Sequence, residues 1–168
     1  SDVSIHLNHG GTERGQGLFQ KVAQVAADRF GVGMGTVRIT ATDTAKVPNT
    51  SATAASSGSD LNGMAVKVAC DTIRDRMAEH LAQIYQCKPA DVVFSGGKVQ
   101  AGGDEIPFSR AAQLCYEARV SLSSTGFYKT PDIEWDRIKG HGRPFYYFAY
   151  GASVSEVALD TLTGEHRI

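Results

Sequence analysis

The sequence predicts an α+β fold with a mixed β-sheet and two to three helices. Three observations carry this. Near the start, a run with a period of two passes through a Gly-rich loop into a run with helical period. In the middle, a long amphipathic stripe follows a loop crowded with Ser and Thr. In the last third, β-branched and aromatic residues cluster between turn signals.

Composition sets bounds on partners. The 168 residues, 42% hydrophobic and 21% charged, suit one folded domain or a piece of a larger one. Seventeen basic and 18 acidic side chains give a formal charge of −1, with no footprint for nucleic acid or an anionic membrane surface. No run approaches the ~20 apolar residues of a spanning helix, and no signal-peptide pattern opens the chain. Cys70, Cys87 and Cys115 are odd in number, widely spaced and outside any CxxC pair. They read as small buried apolar residues of a protein in a reducing cytoplasm, not as a disulfide framework. The first residue is Ser1, and Thr163-Gly164-Glu165 reads as a turn leading to another strand, which together suggest an internal segment of a longer chain.

The elements follow in order. Val3, Ile5 and Leu7 alternate with Ser4 and His6, a strand with one buried face. Gly10, Gly11, Gly15 and Gly17 then mark a loop, after which Leu18, Val22, Val25, Ala26 and Phe30 trace a helix ended by Gly31. Val37 to Thr42 alternates again, which completes a βαβ-like unit. Pro48 forbids helix just before it, and Ser59 or Asp60 is the expected N-cap of a second helix. Its stripe is Leu61, Met64, Ala65, Val68, Ala69, Thr72, Ile73, Met77, Leu81 and Ile84, running to about Tyr85 before Pro89. Val92 to Phe94 and Lys98 to Val99 flank Gly96-Gly97 as a hairpin, and Ser109 is the expected cap of a helix over Ala111 to Ala118. Val120 to Thr130 is Ser-rich and the stretch to Arg143 irregular. Phe145 to Tyr150 reads as a strand belonging to core and sheet, continued or paired by Val154, Val157 and Leu159 to Leu162.

Residue chemistry stops at two polar loops that each lead into a helix. Gly10–Gly17 fits neither a GxGxxG fingerprint nor a phosphate-binding loop with its lysine. It is either a Gly-rich turn or a set of backbone amides that, with the Gln16 amide, faces a polar ligand. Val47 to Ala65 brings hydroxyls and free helix-start amides toward something polar. His6, His9, His80, His141 and His166 show no zinc-site spacing, and Ser56-Ser57 beside Asp60 lacks the elbow of a nucleophilic serine. Asp104 and Glu105 read as a solvated pair at a turn.

Taken together, the loops are more specific. Gly10-Gly11-Thr12-Glu13-Arg14-Gly15-Gln16-Gly17 and Pro48-Asn49-Thr50-Ser51-Ala52-Thr53-Ala54-Ala55-Ser56 resemble the molybdopterin-binding loops of the xanthine dehydrogenase and aldehyde oxidase family. Ser124 to Pro131, Pro144 to Gly151, Ser155-Glu156-Val157 and Asp160 to Gly164 resemble the large, molybdenum-binding subunit of its xanthine dehydrogenase branch. The resemblance spans the whole chain, 1–168, and implies an incomplete segment of that molybdopterin-binding domain.

It implies a molybdenum–molybdopterin cofactor whose metal no protein side chain ligates. Arg14, Gly15 and Gln16 match the first loop that contacts the pterin; Thr53, Ala54, Ala55, Ser56, Ser57 and Gly58 match the second, including its contacts to the pterin phosphate. Ala54 and Ala55 match positions beside the substrate. Arg14 stands where the family commonly has Met, and Ala52 where Pro is usual. The implied reaction is hydroxylation of hypoxanthine or xanthine toward urate, electrons passing through 2Fe-2S clusters and FAD in partner domains or subunits to NAD. The family's general-base glutamate has no counterpart here and is expected outside this chain. The alternatives are a catalytically silent cofactor-binding or scaffold fragment, or a segment of another molybdenum hydroxylase such as an aldehyde oxidase.

Overall fold

Alternation at the start of the chain produces two short strands, β1 (Ile5–Leu7) and β2 (Val37–Ile39), paired in parallel with Ile5 opposite Val37. Between them runs helix α1 (Leu18–Phe30), the crossover that parallel pairing requires. The structure is a computed structural model that describes residues 3–40, 43, 45–46, 50–54 and 56–168. It falls into two units, Ser1–Lys129 and Thr130–Ile168.

In the first unit, α1 turns Leu18, Val22, Ala26 and Phe30 onto helix α2 (Gly58–Ile84), which answers with Val66, Cys70, Met77 and Leu81. Leu18, Val22, Met77 and Leu81 are fully buried, and each such large side chain contributes about 1.5–3 kcal/mol relative to exposure. Arg29 of α1 reaches Asp71 of α2 at 2.5 Å and joins the helices at their half-buried rim, while Lys67, one turn before Asp71 on α2, reaches the same carboxylate at 2.7 Å. Burial opposes ionisation of Asp71, but hydrogen bonds from Lys67 and Arg29 outweigh it and hold the carboxyl below its usual range.

Gly31 ends α1 in the left-handed conformation, φ 61°, and its N–H returns to the Ala27 and Asp28 carbonyls. A Cβ there would lie 2.4 Å from the Phe94 carbonyl oxygen, so the position needs glycine for space as well as for φ. The contact docks a three-stranded antiparallel sheet, β3 (Val93–Ser95), β4 (Lys98–Ala101) and β5 (Asp104–Pro107), with Ser95 opposite Lys98 across the expected Gly96-Gly97 turn. Helix α3 (Phe108–Glu117) follows directly and buries Phe108, Ala111 and Cys115. An extended segment, 120–128, then lies along α2. Gly126 sits so close that a Cβ would fall 1.8 Å from the Ala65 carbonyl oxygen.

The second unit consists of two antiparallel ribbons, β6 (Glu134–Asp136) with β7 (His141–Arg143), and β8 (Ala158–Leu159) with β9 (His166–Arg167). No residue of this unit is buried.

The α+β class stands, with three helices, and parallel and antiparallel pairing are distributed over four small sheets among the described residues. Several local expectations need correction. Helix α2 starts at Gly58 behind Ser57, not at Ser59 or Asp60, and Ser57 makes no side-chain cap hydrogen bond. Its buried face includes Gly63, Val66, Cys70 and Ala78, while Met64, Val68 and Ile84 of the expected stripe are exposed. Over 27 residues a helix can turn different faces to different neighbours, so one stripe does not describe it. Asp104–Pro107 is a strand, and α3 begins at Phe108, so Ser109 lies inside the helix rather than capping it. Phe145–Tyr150 forms no strand: these β-prone side chains find no pairing partner in their own unit, and Phe145, Phe148 and Tyr150 are exposed. Cys70 and Cys115 are buried as expected, whereas Cys87 is half-buried. Thr42 at the end of the expected second strand, and Val47, Pro48 and Asn49, lie outside the described residues.

Candidate functional site

The two polar loops meet. The Thr12 N–H donates to the Thr53 Oγ1 at 2.8 Å, and Gly10 lies against Thr50 so closely that a Cβ would overlap the Thr50 side chain. Gly11 is packed in the same way against Leu18 and Asn62, which ties the first loop to the start of both long helices. Along the join opens a cleft of about 1740 Å³. Its polar wall includes Asn8, His9, Thr50 and Thr53, and Ile73 and Met77 belong to its apolar wall.

The first loop is closed on itself. Gln16 accepts from the Arg14 N–H at 2.6 Å through Oε1 and donates to the Thr12 carbonyl at 2.8 Å through Nε2. Glu13 accepts from Gly15 and Gly17 on Oε1 and from Phe19 on Oε2, at 2.8 to 3.0 Å. The Phe19 N–H, with those of Gly17, Gly15 and Arg14, holds the Glu13 carboxyl below the usual carboxylate range. Thus the amides of Gly15 and Gly17, two of the loop's expected ligand donors, are already engaged, and so are both ends of the Gln16 amide.

The second loop is filled differently. Ser57 donates its hydroxyl to the Ala54 carbonyl at 3.3 Å and leaves the first-turn amides of α2 without a side-chain cap. Thr53, Ala54, Ser57 and Gly58 line the cleft, with Ala54 exposed. Ser56 is exposed beside them. Ala55 lies outside the described residues. Arg14, Gly15 and Gln16 are exposed on the first loop but do not line the cleft.

Two residues escaped the sequence reading. His9, weighed there only as a metal ligand, is 4% exposed and accepts the Gly11 N–H on Nδ1 at 3.1 Å, which places its proton on Nε2. Among the described residues, Nε2 finds no hydrogen-bond partner, and neither does Oδ1 of Asp60 in the first turn of α2. Burial pushes the His9 imidazole below its ordinary range, partly offset by Asn62 and Glu13. The second is Glu13, for which the available signal was an acidic residue just ahead of a helix start. Among the described residues no group of three or more His, Cys, Asp and Glu could hold a metal ion, and no helix is long and apolar enough to cross a membrane.

A family model described as the molybdopterin cofactor-binding domain matches residues 1–168. The chain belongs to that family. It is 43% identical over 165 residues to a xanthine dehydrogenase of Oryza sativa subsp. japonica, covering 98% of this chain and 11% of that protein. It is 44% identical over 169 residues to a xanthine dehydrogenase of Dictyostelium discoideum, covering 99% and 11% respectively. The chain therefore spans about a tenth of the length of these curated relatives. Among solved structures, a CO dehydrogenase from Oligotropha carboxidovorans shares the fold at TM-score 0.68 and 20% identity, over 76% of this chain and 17% of that one. A quinoline 2-oxidoreductase from Pseudomonas putida 86 does so at TM-score 0.65 and 21% identity, over 76% and 17%. The expected molybdopterin cofactor agrees with the matched family.

The residues present fit such a group. Hydroxyl-bearing residues line one wall of the cleft, and α2 offers first-turn amides that no N-cap side chain fills. A pterin with a phosphate tail needs such donors, and a helix start suits its anionic end.

Proposed function

We propose that this chain supplies two jaws of the molybdopterin site of a xanthine dehydrogenase acting on hypoxanthine or xanthine. The observation that carries the reading is the junction of two loops, far apart in sequence, through Thr12 and Thr53, beside a cleft that Gly10 of the first loop and Thr53 of the second both line. The bound group would supply the redox and oxygen-transfer chemistry, and the chain's own residues orient it. Thr53, Ser56, Ser57 and the amide end of α2 from Gly58 hold the anionic tail. Arg14, Gly15 and Gln16 shape the pterin side of the first loop, the Gly15 N–H and both ends of the Gln16 amide being taken up within the loop itself. Ala54 and Ala55 keep side-chain volume out of the substrate's space. The general-base glutamate, the 2Fe-2S clusters and the FAD that passes electrons to NAD belong to the rest of the subunit or to partner domains. On this reading the 168 residues alone are inactive, and the complete enzyme works in the cytoplasm.

Two variants of the complete enzyme test this. Gln16→Ala is expected to lower molybdopterin content, and Ala54→Leu to keep the cofactor but slow turnover. Normal cofactor content and normal turnover in both would overturn the assignment.

A further inference from the structure

Glu13 lies outside the residues matched to the cofactor, yet the backbone of the first loop depends on it. Helix α1 is preceded by Gly17 in the left-handed conformation, φ 75°, and glycine has no side chain with which to cap a helix. The amides of Gly15, Gly17 and Phe19 would be left to solvent or to a ligand. Glu13 takes all three, with one oxygen shared by the two glycines and the other on Phe19. Such bonds from backbone N–H to an ionised carboxylate are stronger than neutral ones, and the charge sits at the positive end of the helix.

The consequences reach Gln16. Its Oε1 bond to the Arg14 N–H and its Nε2 bond to the Thr12 carbonyl both span the turn that Glu13 draws in. Gly15 takes φ 97°, a conformation open to glycine, and its N–H is turned onto Glu13.

We propose that Glu13 is a positioning residue for the cofactor loop: by engaging the amides of Gly15, Gly17 and Phe19, its carboxylate folds residues 13–19 into the turn that sets the course of the backbone through Arg14, Gly15 and Gln16. The α1 helix start is then closed to anions by an internal carboxylate, while the α2 start carries no N-cap side-chain bond. This inference rests on the pterin-site reading above.

The test uses the complete enzyme with Glu13→Ala and Glu13→Gln, and Thr53→Val as a variant of the other loop. Hydrogen exchange of the peptide spanning 13–19 is expected to rise about tenfold in Glu13→Ala, as expected when about 1.4 kcal/mol of local protection is lost. Pterin content, measured by fluorescence after oxidative release, should fall by more than half. Glu13→Gln keeps one acceptor oxygen and should lie between wild type and Glu13→Ala in both readouts. Unchanged exchange in Glu13→Ala overturns the proposal. So does pterin loss that only tracks a lower unfolding midpoint, with Glu13→Gln no better than Glu13→Ala. If Thr53→Val loses pterin while Glu13→Ala retains it, Glu13 has no positioning role and the cofactor reading stands. If neither loses pterin, the cofactor reading itself fails and takes this inference with it.

Discussion

The Thr12 N–H reaches the Thr53 hydroxyl oxygen at 2.8 Å across 41 positions of sequence, and so joins the loop ahead of α1 to the loop ahead of α2. The bond is exposed, so water can replace it, and its contribution to overall stability is at the low end of the range, about 0.5 kcal/mol. Its geometric role is larger, because it sets the spacing between two loops that flank one cleft. Thr53→Val keeps the shape and removes the acceptor. We expect a small shift in the urea midpoint and a disproportionate loss of pterin from the complete enzyme, restored by Thr53→Ser. Loss of stability with full pterin content would show that the loops bind nothing in common.

Gly126 provides a purely steric prediction. An alanine Cβ would stand 1.8 Å from the Ala65 carbonyl oxygen and 2.9 Å from the Ala69 nitrogen, both helix backbone that cannot move aside. The segment must lift from α2, although Arg76 Nη1 holds it by donating to the carbonyls of Ser121 and Ser123 at 3.3 and 3.1 Å. Overpacking of this kind costs about 1–3 kcal/mol. Denaturant titration of Gly126→Ala should show that loss, and Gly33→Ala, where a Cβ meets nothing within 4 Å, should show little. Equal midpoints for the two variants would mean that the segment does not lie on α2.

These cases show where the sequence could be read and where it could not. Period changes at Leu7, Leu18 and Val37 sufficed to find β1, α1 and β2, since in each the apolar positions fall on one face, buried in α1 and partly buried at Val37 and Ile39 of β2. Gly31 and Gly96-Gly97 gave the chain reversals, because positive φ at those points leaves little choice but glycine. Asp104–Pro107 was hidden: two acids and a proline read as a turn, and only pairing with Lys98–Ala101 makes the strand. Phe145–Tyr150 failed in the opposite sense, since β-propensity needs a partner strand to act on. The resemblance set the two loops side by side as parts of one candidate site, but their internal wiring was not legible. That Gln16 turns inward follows from distances a linear sequence does not contain.

His9 predicts a pH dependence. Burial lowers its pKa from the ordinary 6.5, and its Nδ1 must stay unprotonated to accept the Gly11 N–H. The unfolded chain therefore takes up a proton before the folded one as pH falls. The stability that His9 contributes is fully present above 6.5 and is lost as pH drops through the lower, folded value. Urea midpoints of the full chain measured between about pH 7.5 and 5.5 should fall, and the fall should shrink in His9→Gln, whose amide oxygen can accept the same N–H without titrating. An identical slope in both proteins would remove His9 as its source.

The cysteines separate by environment and not by sequence spacing. Burial raises the thiols of Cys70 and Cys115 to about 11, with Asp71 adding to the effect at Cys70 and Arg29 opposing it. At pH 8 only about one such thiol in a thousand is the reactive thiolate, and both are also covered by protein. Cys87 is half-buried. Iodoacetamide should modify Cys87 in the native chain and reach Cys70 and Cys115 only as it unfolds, so their labelling rate should rise with denaturant while that of Cys87 changes little. Peptide mapping that found Cys70 alkylated as fast as Cys87 in the absence of denaturant would contradict the packing of α2 against α1, because Cys70 belongs to the core those helices form.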